Sequence, residues 1–115
     1  MSASEMLILE KYQTFIKYIY PMLINMSGKH RVLRDATLSA IFEQIKLFHD
    51  AAKSNQSSKL YIADSGLATL KEHLRILQDE NIKLLSKRQY EVASVHLSEV
   101  GKILGSWISK TSKKV

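Results

Sequence analysis

The sequence predicts an all-α fold, an up-down-up-down four-helix bundle with left-handed packing, and three observations carry that prediction. Apolar residues recur in steps of three and four along four separate tracts. One proline and four glycines are all that interrupt the 115 residues, and β-branched runs of strand length are scarce. The connections between tracts are short, so successive helices must run antiparallel. Steps of three and four on facing helices give the packing geometry of a left-handed coiled coil.

The first helix is expected over 5–26. Its stripe is Ile8, Tyr12, Phe15, Ile19, Met22 and Met26. Pro21 falls inside it, so the helix should kink there or stop near Tyr20, because proline removes one backbone donor and crowds the preceding turn. "MSGKH" then reads as a turn. The second helix, over 29–53, carries a less regular set: Leu33, Ala36, Thr37, Ala40, Ile41, Gln44, Ile45, Phe48 and Ala52. Its small residues imply close neighbours on more than one side. The polar run "AKSNQSSK" ends it.

The third helix, over 57–79, has the strictest stripe, Leu60, Ala63, Leu67, Leu70, Leu74 and Leu77. Each fully buried leucine contributes about 1.5–3 kcal/mol, enough to override Gly66. The fourth helix, over 87–111, is announced by Ser86 and Gln89 at capping-box spacing. Its stripe is Tyr90, Ala93, Leu97, Val100, Leu104 and Trp107. All four helices belong to one domain spanning 1–115, and 45% apolar content suits a single core of this size.

That core does not use all of the apolar side chains. Val92, Val95, Ile103 and Ile108 lie off the stripe of the fourth helix, as do Ile62 on the third and Ile16 and Leu23 on the first. No helix is central in a four-helix bundle, so apolar residues on a second side imply a subunit interface. Gly101 and Gly105 share one face of the fourth helix, just before the only tryptophan. Interior glycine costs roughly 1 kcal/mol against alanine. Two readings stay open: a neighbouring subunit approaches there, or a bulky side chain of the same bundle needs the room.

Seventeen Lys and Arg face eleven Asp and Glu, for a formal charge of +6. Such a balance favours polyanions: nucleic acid, acidic protein surfaces or anionic membrane. Residues 1–26 are balanced at two acids and two bases, so the first helix is the weakest candidate for a polyanion face. There is no cysteine, which excludes disulfides and thiolate metal sites. No run reaches signal-peptide or membrane-span length, so a cytoplasmic protein without membrane contact is expected.

The four histidines invite a catalytic or metal reading that their spacing does not support. No His-x-x-x-His pair occurs, nor any Glu-x-x-His motif of bundle di-metal sites. "GKILG" lies within a helix and lacks the strand and spacing of a phosphate loop. The expectation is a protein that is not an enzyme, with no metal and no cofactor. What remains are the basic positions. "GKHRVLRD" places Lys29, His30, Arg31 and Arg34 at the start of the second helix, where free backbone N–H groups favour phosphate. "LKEHLR" places Lys71 and Arg75 four apart on the third, and the carboxyl end gathers Lys102, Lys110, Lys113 and Lys114. A solvated charged face is the plain alternative for each. Their scatter favours contact with a phosphate backbone over base readout.

The tracts "KSNQSSKLYIADSGLATLKEHLRIL" and "SEVGKILGSWIS", with "EKYQTFIKYIYPMLINM" and "GKH" before them, resemble the accessory variability determinant (Avd) of diversity-generating retroelements. The similarity runs from about Ile8 to Lys110. A broader kinship is with four-helix-bundle proteins encoded in insertions within bacterial 23S ribosomal RNA genes. The Avd resemblance implies a four-helix bundle assembled into a homo-oligomeric ring, a pentamer, with a basic surface. It implies partnership with the element's reverse transcriptase, its template RNA and the cDNA, in the cytoplasm of a bacterium. It also implies support of mutagenic cDNA synthesis and retrohoming without polymerase chemistry of its own. Lys71 and Arg75 would engage the enzyme or the RNA; an Arg is expected at position 71, and Lys turns a bidentate contact into a point-charge contact. Lys29, His30, Arg31, Arg34, Lys102 and Lys110 would extend that surface. Gly101, Ile103, Gly105 and Trp107 would pack the fourth helix against a neighbour within the bundle or across the ring. The kinship with the ribosomal insertions leaves a second reading, an oligomeric or ribosome-associated interaction protein with no reverse-transcriptase role.

Overall fold

The computed structural model describes residues 3–54 and 56–112. They form four α-helices and no strand: α1 Ala3–Ile24, α2 Arg31–Ser54, α3 Ser57–Gln78 and α4 Lys87–Ser112, with a 3₁₀ turn at Gly28–His30 before α2. Each helix packs on two neighbours: α1 on α4 and α2, α3 on α2 and α4. With its short connections, this is an up-down-up-down bundle about 48 Å long and 23 × 20 Å across.

The core follows the expected stripes most faithfully on α3, where all six stripe residues are buried. On α4, Ala93, Leu97, Val100 and Leu104 are buried, while Tyr90 and Trp107 are partly covered. The capping box at its start is made in full. The Gln89 N–H donates to Ser86 Oγ at 3.0 Å, and the Ser86 N–H donates to Gln89 Oε1 at 3.0 Å. Ahead of it, the 79–86 connection folds back over the end of α3. The N–H groups of Leu84 and Leu85 both donate to the Leu77 carbonyl, and Leu85 is buried as a plug on the core. The reversal puts Lys83 at φ 52°, a left-handed conformation that costs a non-glycine residue about 1–2 kcal/mol.

α1 departs from the expectation at its carboxyl end. Of the two outcomes expected at Pro21, the stop near Tyr20 does not occur; the helix runs through Pro21 to Ile24, two residues short of the expected end. The buried residue there is Leu23, fully covered, while Met22 and Met26 are only partly so. Leu23 therefore belongs to the core and not to the off-stripe set. The proline penalty of about 3 kcal/mol is met because the turn beyond Pro21 seats Leu23, whose burial contributes a comparable amount. Pro21 itself is exposed, so backbone acceptors freed around it face water.

Polar groups fix how α2 lies on its neighbours. Thr37 and Gln44 are its buried polar residues. Gln44 Nε2 donates to the Ala63 carbonyl on α3 at 2.7 Å. Thr37 Oγ1 donates to the Leu33 carbonyl at 2.9 Å and lies 3.0 Å from His73 Nδ1. The seam between α1 and α2 is the loosest, and there the Tyr12 hydroxyl donates to the Ile41 carbonyl. The Tyr12 ring sits against Phe15 and edge-on to Phe48, and burial raises its phenol above the ordinary range.

Two measurements test this packing. A Cβ at Gly66 would stand 2.8 Å from Leu47 Cδ1 and closer still to Gln44 Oε1, whereas one at Gly105 would meet nothing within 4 Å. Gly66→Ala should therefore destabilise by about 1–3 kcal/mol of overpacking, while Gly105→Ala should stabilise by up to about 1 kcal/mol, both read by urea unfolding. Tyr12→Phe should cost about 0.5–1.5 kcal/mol at neutral pH. Because the folded-state pKa of Tyr12 is raised, its contribution is present below about pH 10 and is lost as pH climbs above it. The gap between wild type and Tyr12→Phe should accordingly narrow in alkaline urea titrations.

Candidate nucleic-acid and partner interface

The local rules that make the helices also set where the basic side chains stand. On α3 the core takes Leu67, Leu70 and Leu74, so Lys71 and Arg75 are turned outward, and both are exposed. Arg75 Nη1 pairs with Glu72 Oε2 at 3.1 Å, with both side chains about two-thirds exposed. Such a pair is worth at most about 1 kcal/mol. Lys71 lies toward α4: a methyl on Gly101 would stand 3.7 Å from Lys71 Nζ and 3.7 Å from Leu67 Cδ2. The fold therefore joins one expected glycine to one expected lysine, and the bare backbone at 101 leaves the ammonium room to lie along the α3–α4 seam.

The second group stands at an end of the bundle. Ser27 accepts a hydrogen bond from the Lys29 N–H at 3.3 Å, closing the turn Gly28–His30 that leads into α2. Lys29 and Arg31 are exposed and His30 is half-buried. Arg34 is also half-buried, its Nε paired with Asp35 Oδ1 at 3.0 Å. Lys102 and Lys110 are exposed on α4, running toward the opposite end. Lys113 and Lys114 lie outside the described residues. The expected basic positions thus divide among α3, with Arg75 in its last turn near the end where α2 starts, the start of α2 itself and the far part of α4. They are not one patch.

Three further cations, missed in the sequence, join the second group. Lys83, Lys87 and Arg88 are exposed, and the up-down-up-down order puts the start of α4 at the same end as the start of α2. The helix order itself was the signal that could have found them.

The remaining candidates have local explanations. His73 is engaged with Thr37, and the His96 ring lies 5.5 Å from that of Tyr18 across the α1–α4 seam. Among the described residues no three His, Asp or Glu side chains cluster as a metal site would require. Trp107 and Ile103 are partly buried and pack on the core, while Gly105 is exposed. Neither glycine of α4 is demanded by close packing inside the chain: a Cβ at 101 would make ordinary contacts and one at 105 none. Apolar surface remains elsewhere, notably an open groove on α1 and α2 lined by Ile16, Lys17, Tyr20, Pro21 and Phe42. Tyr20 and Phe42 stack edge-on there with centroids 6.1 Å apart. Among the described residues no helix is long and apolar enough to cross a membrane.

An α-helical bundle with divided basic positions and no metal cluster among the described residues is the setting for the decisive comparison. Residues 6–111 match the family model described as bAvd-like. The chain belongs to the bAvd-like family. No curated protein matches it. The bAvd-like match spans all four helices and includes every basic position discussed above apart from Lys113 and Lys114.

Exposure predicts that the α3 pair is dispensable for folding. Replacing Lys71 and Arg75 together with alanine should change unfolding free energy by less than about 1 kcal/mol, since one exposed ion pair is lost. A loss of several kcal/mol in a urea titration would assign the two residues a structural task.

Proposed function

We propose that this bAvd-like protein is a non-catalytic accessory factor of a diversity-generating retroelement. It binds the element's reverse transcriptase and template RNA and supports mutagenic cDNA synthesis and retrohoming. The observation that carries this reading is the bAvd-like match across residues 6–111. The physical chemistry is compatible with it. A +6 chain attracts polyanions over a distance set by screening, and scattered Lys and Arg side chains hold a phosphate backbone without reading bases.

In this reading the protein works as a homo-oligomer, a ring of five, acting in the bacterial cytoplasm. Support comes from the apolar side chains that the bundle leaves exposed, Tyr20, Phe42, Ile62 and Val95 among them, and from the open space beside Gly105. A ring needs two different complementary faces on each subunit, and apolar residues on several helices meet that requirement. Lys71 and Arg75 engage the polymerase or its RNA, with Lys71 free to extend from its place over Gly101.

The test is co-purification of the chain with the cognate reverse transcriptase and template RNA, followed by a cDNA-synthesis assay. Long template-primed cDNA should depend on this protein. The double variant Lys71→Ala, Arg75→Ala should weaken assembly by about tenfold or more, as expected for losing charge-assisted contacts worth about 1.5 kcal/mol or more each, while its unfolding curve stays near wild type. If the polymerase neither binds the protein nor changes its products in its presence, the chain is a bundle with another partner.

A further inference from the structure

The charge of this chain is distributed unevenly in the folded bundle. Residues 1–24 hold Glu5, Glu10, Lys11 and Lys17 and are neutral. Residues 36–74 are neutral as well, with four acids and four bases. The excess is carried by the last residues of the sequence, from Lys102 on, and by one end of the molecule, which the turn before α2, the 79–86 connection and the start of α4 share by helix order, α2 and α4 standing diagonally with no contact between them.

That end has a particular composition. Lys29, Arg31, Lys83, Lys87 and Arg88 are all exposed, and among the described residues none of the five is in an ion pair. The acids beside them are partly committed. Asp35 holds Arg34 at 3.0 Å, and Asp79 accepts from the Asn81 N–H at 2.9 Å, leaving Glu80 and Glu91. Arg75, in the last turn of α3 at the margin of this end, is matched to Glu72, and elsewhere Lys11 and Lys46 are matched to carboxylates. The five come from three separate stretches of chain and are held by three local devices: the Ser27 turn, the Lys83 reversal and the Ser86–Gln89 capping box.

We propose that this end of the bundle is a docking surface for the phosphate backbone of RNA, adjoining Arg75 in the last turn of α3; the proposal rests on the reading of the protein as an RNA-binding accessory factor. The bundle is 23 × 20 Å in cross-section. At one charge per roughly 1.7 Å of duplex axis, a nucleic-acid helix crossing it presents about a dozen phosphates, more than the five cations can neutralise. The aliphatic side chains exposed near this end, Ile24, Val32 and Ile76, come singly from three helices. Isolated apolar residues of that kind are ordinary surface and do not form the apolar centre of a protein dock. Point charges spread over an end, none of them held in an ion pair and outnumbering the acids Asp79, Glu80 and Glu91 beside them, suit a rod of phosphate.

The experiment measures binding of the full chain to a fully paired RNA hairpin as a function of salt. Two double variants probe the end, Lys29→Gln with Arg31→Gln and Lys87→Gln with Arg88→Gln. A third, Lys53→Gln with Lys59→Gln, removes the same charge at the opposite end. Each phosphate contact contributes roughly 0.7–0.9 to the slope of log affinity against log salt. Each of the first two variants should therefore reduce that slope by about 1.4–1.8, and the third should leave it near wild type. Equal losses in all three, or unchanged slopes in the first two while wild type binds, would overturn the assignment of this end and leave RNA binding standing. Loss of polymerase binding with RNA binding intact would make the end a protein dock. If wild type binds no RNA at any salt, the RNA part of the functional reading falls with it.

Discussion

The placement of α2 depends on how one buried amide is satisfied. Gln44 is fully covered, and an unpaired amide there would cost about 1–3 kcal/mol or more. Its Nε2 finds the Ala63 carbonyl, which is reachable only where α3 comes close, and α3 comes close because Gly66 offers no Cβ to Gln44 or Leu47. A slide of α2 along α3 would strand that amide, and also part Thr37 from His73 farther along the seam. The two contacts act as register pins in a core that is otherwise aliphatic and aromatic and would tolerate sliding. The consequence reaches the surface. Pinned this way, α2 begins where α4 begins, and the cations around Arg31 share an end with those around Arg88.

The bundle separates stability from charge. Residues 1–24 and 36–74 are neutral, and the exposed ion pairs add little to folding, so folding does not depend on the excess basic residues. The same division explains why a small chain can carry +6 without self-repulsion concentrated in the core region. The excess is held at positions where water and counterions screen it until a polyanion replaces them. In the proposed reading, a protein that contributes contacts and no chemistry needs this arrangement more than it needs a pocket.

What the sequence made legible follows from which physical signal each element carries. The α3 stripe was readable to the residue because six aliphatic positions at helical spacing admit one buried face. The start of α4 was readable because Ser86 and Gln89 satisfy each other's backbone donors, a purely local device. Leu23 was misassigned because the steps of three and four were carried on through Met22 and Met26, whereas in the last turn beyond Pro21 the residue that enters the core is Leu23. The contribution of Lys83, Lys87 and Arg88 was missed for a different reason: charge was read along the chain, whereas the relevant neighbourhood is made by topology.

The glycines of α4 show why identical residues at helical spacing need not share a cause. Gly66, on α3, is required by Gln44, and a methyl there collides within the chain. Gly101 is not required in that sense, yet it is where the Lys71 ammonium lies, so its bare backbone bears on a charged side chain and not on a helix crossing. Gly105 touches nothing and is exposed, while a helix interior glycine still costs roughly 1 kcal/mol. No close approach among the described residues offsets that cost. An intramolecular origin therefore accounts for Gly66 and bears on Gly101, and it does not account for Gly105.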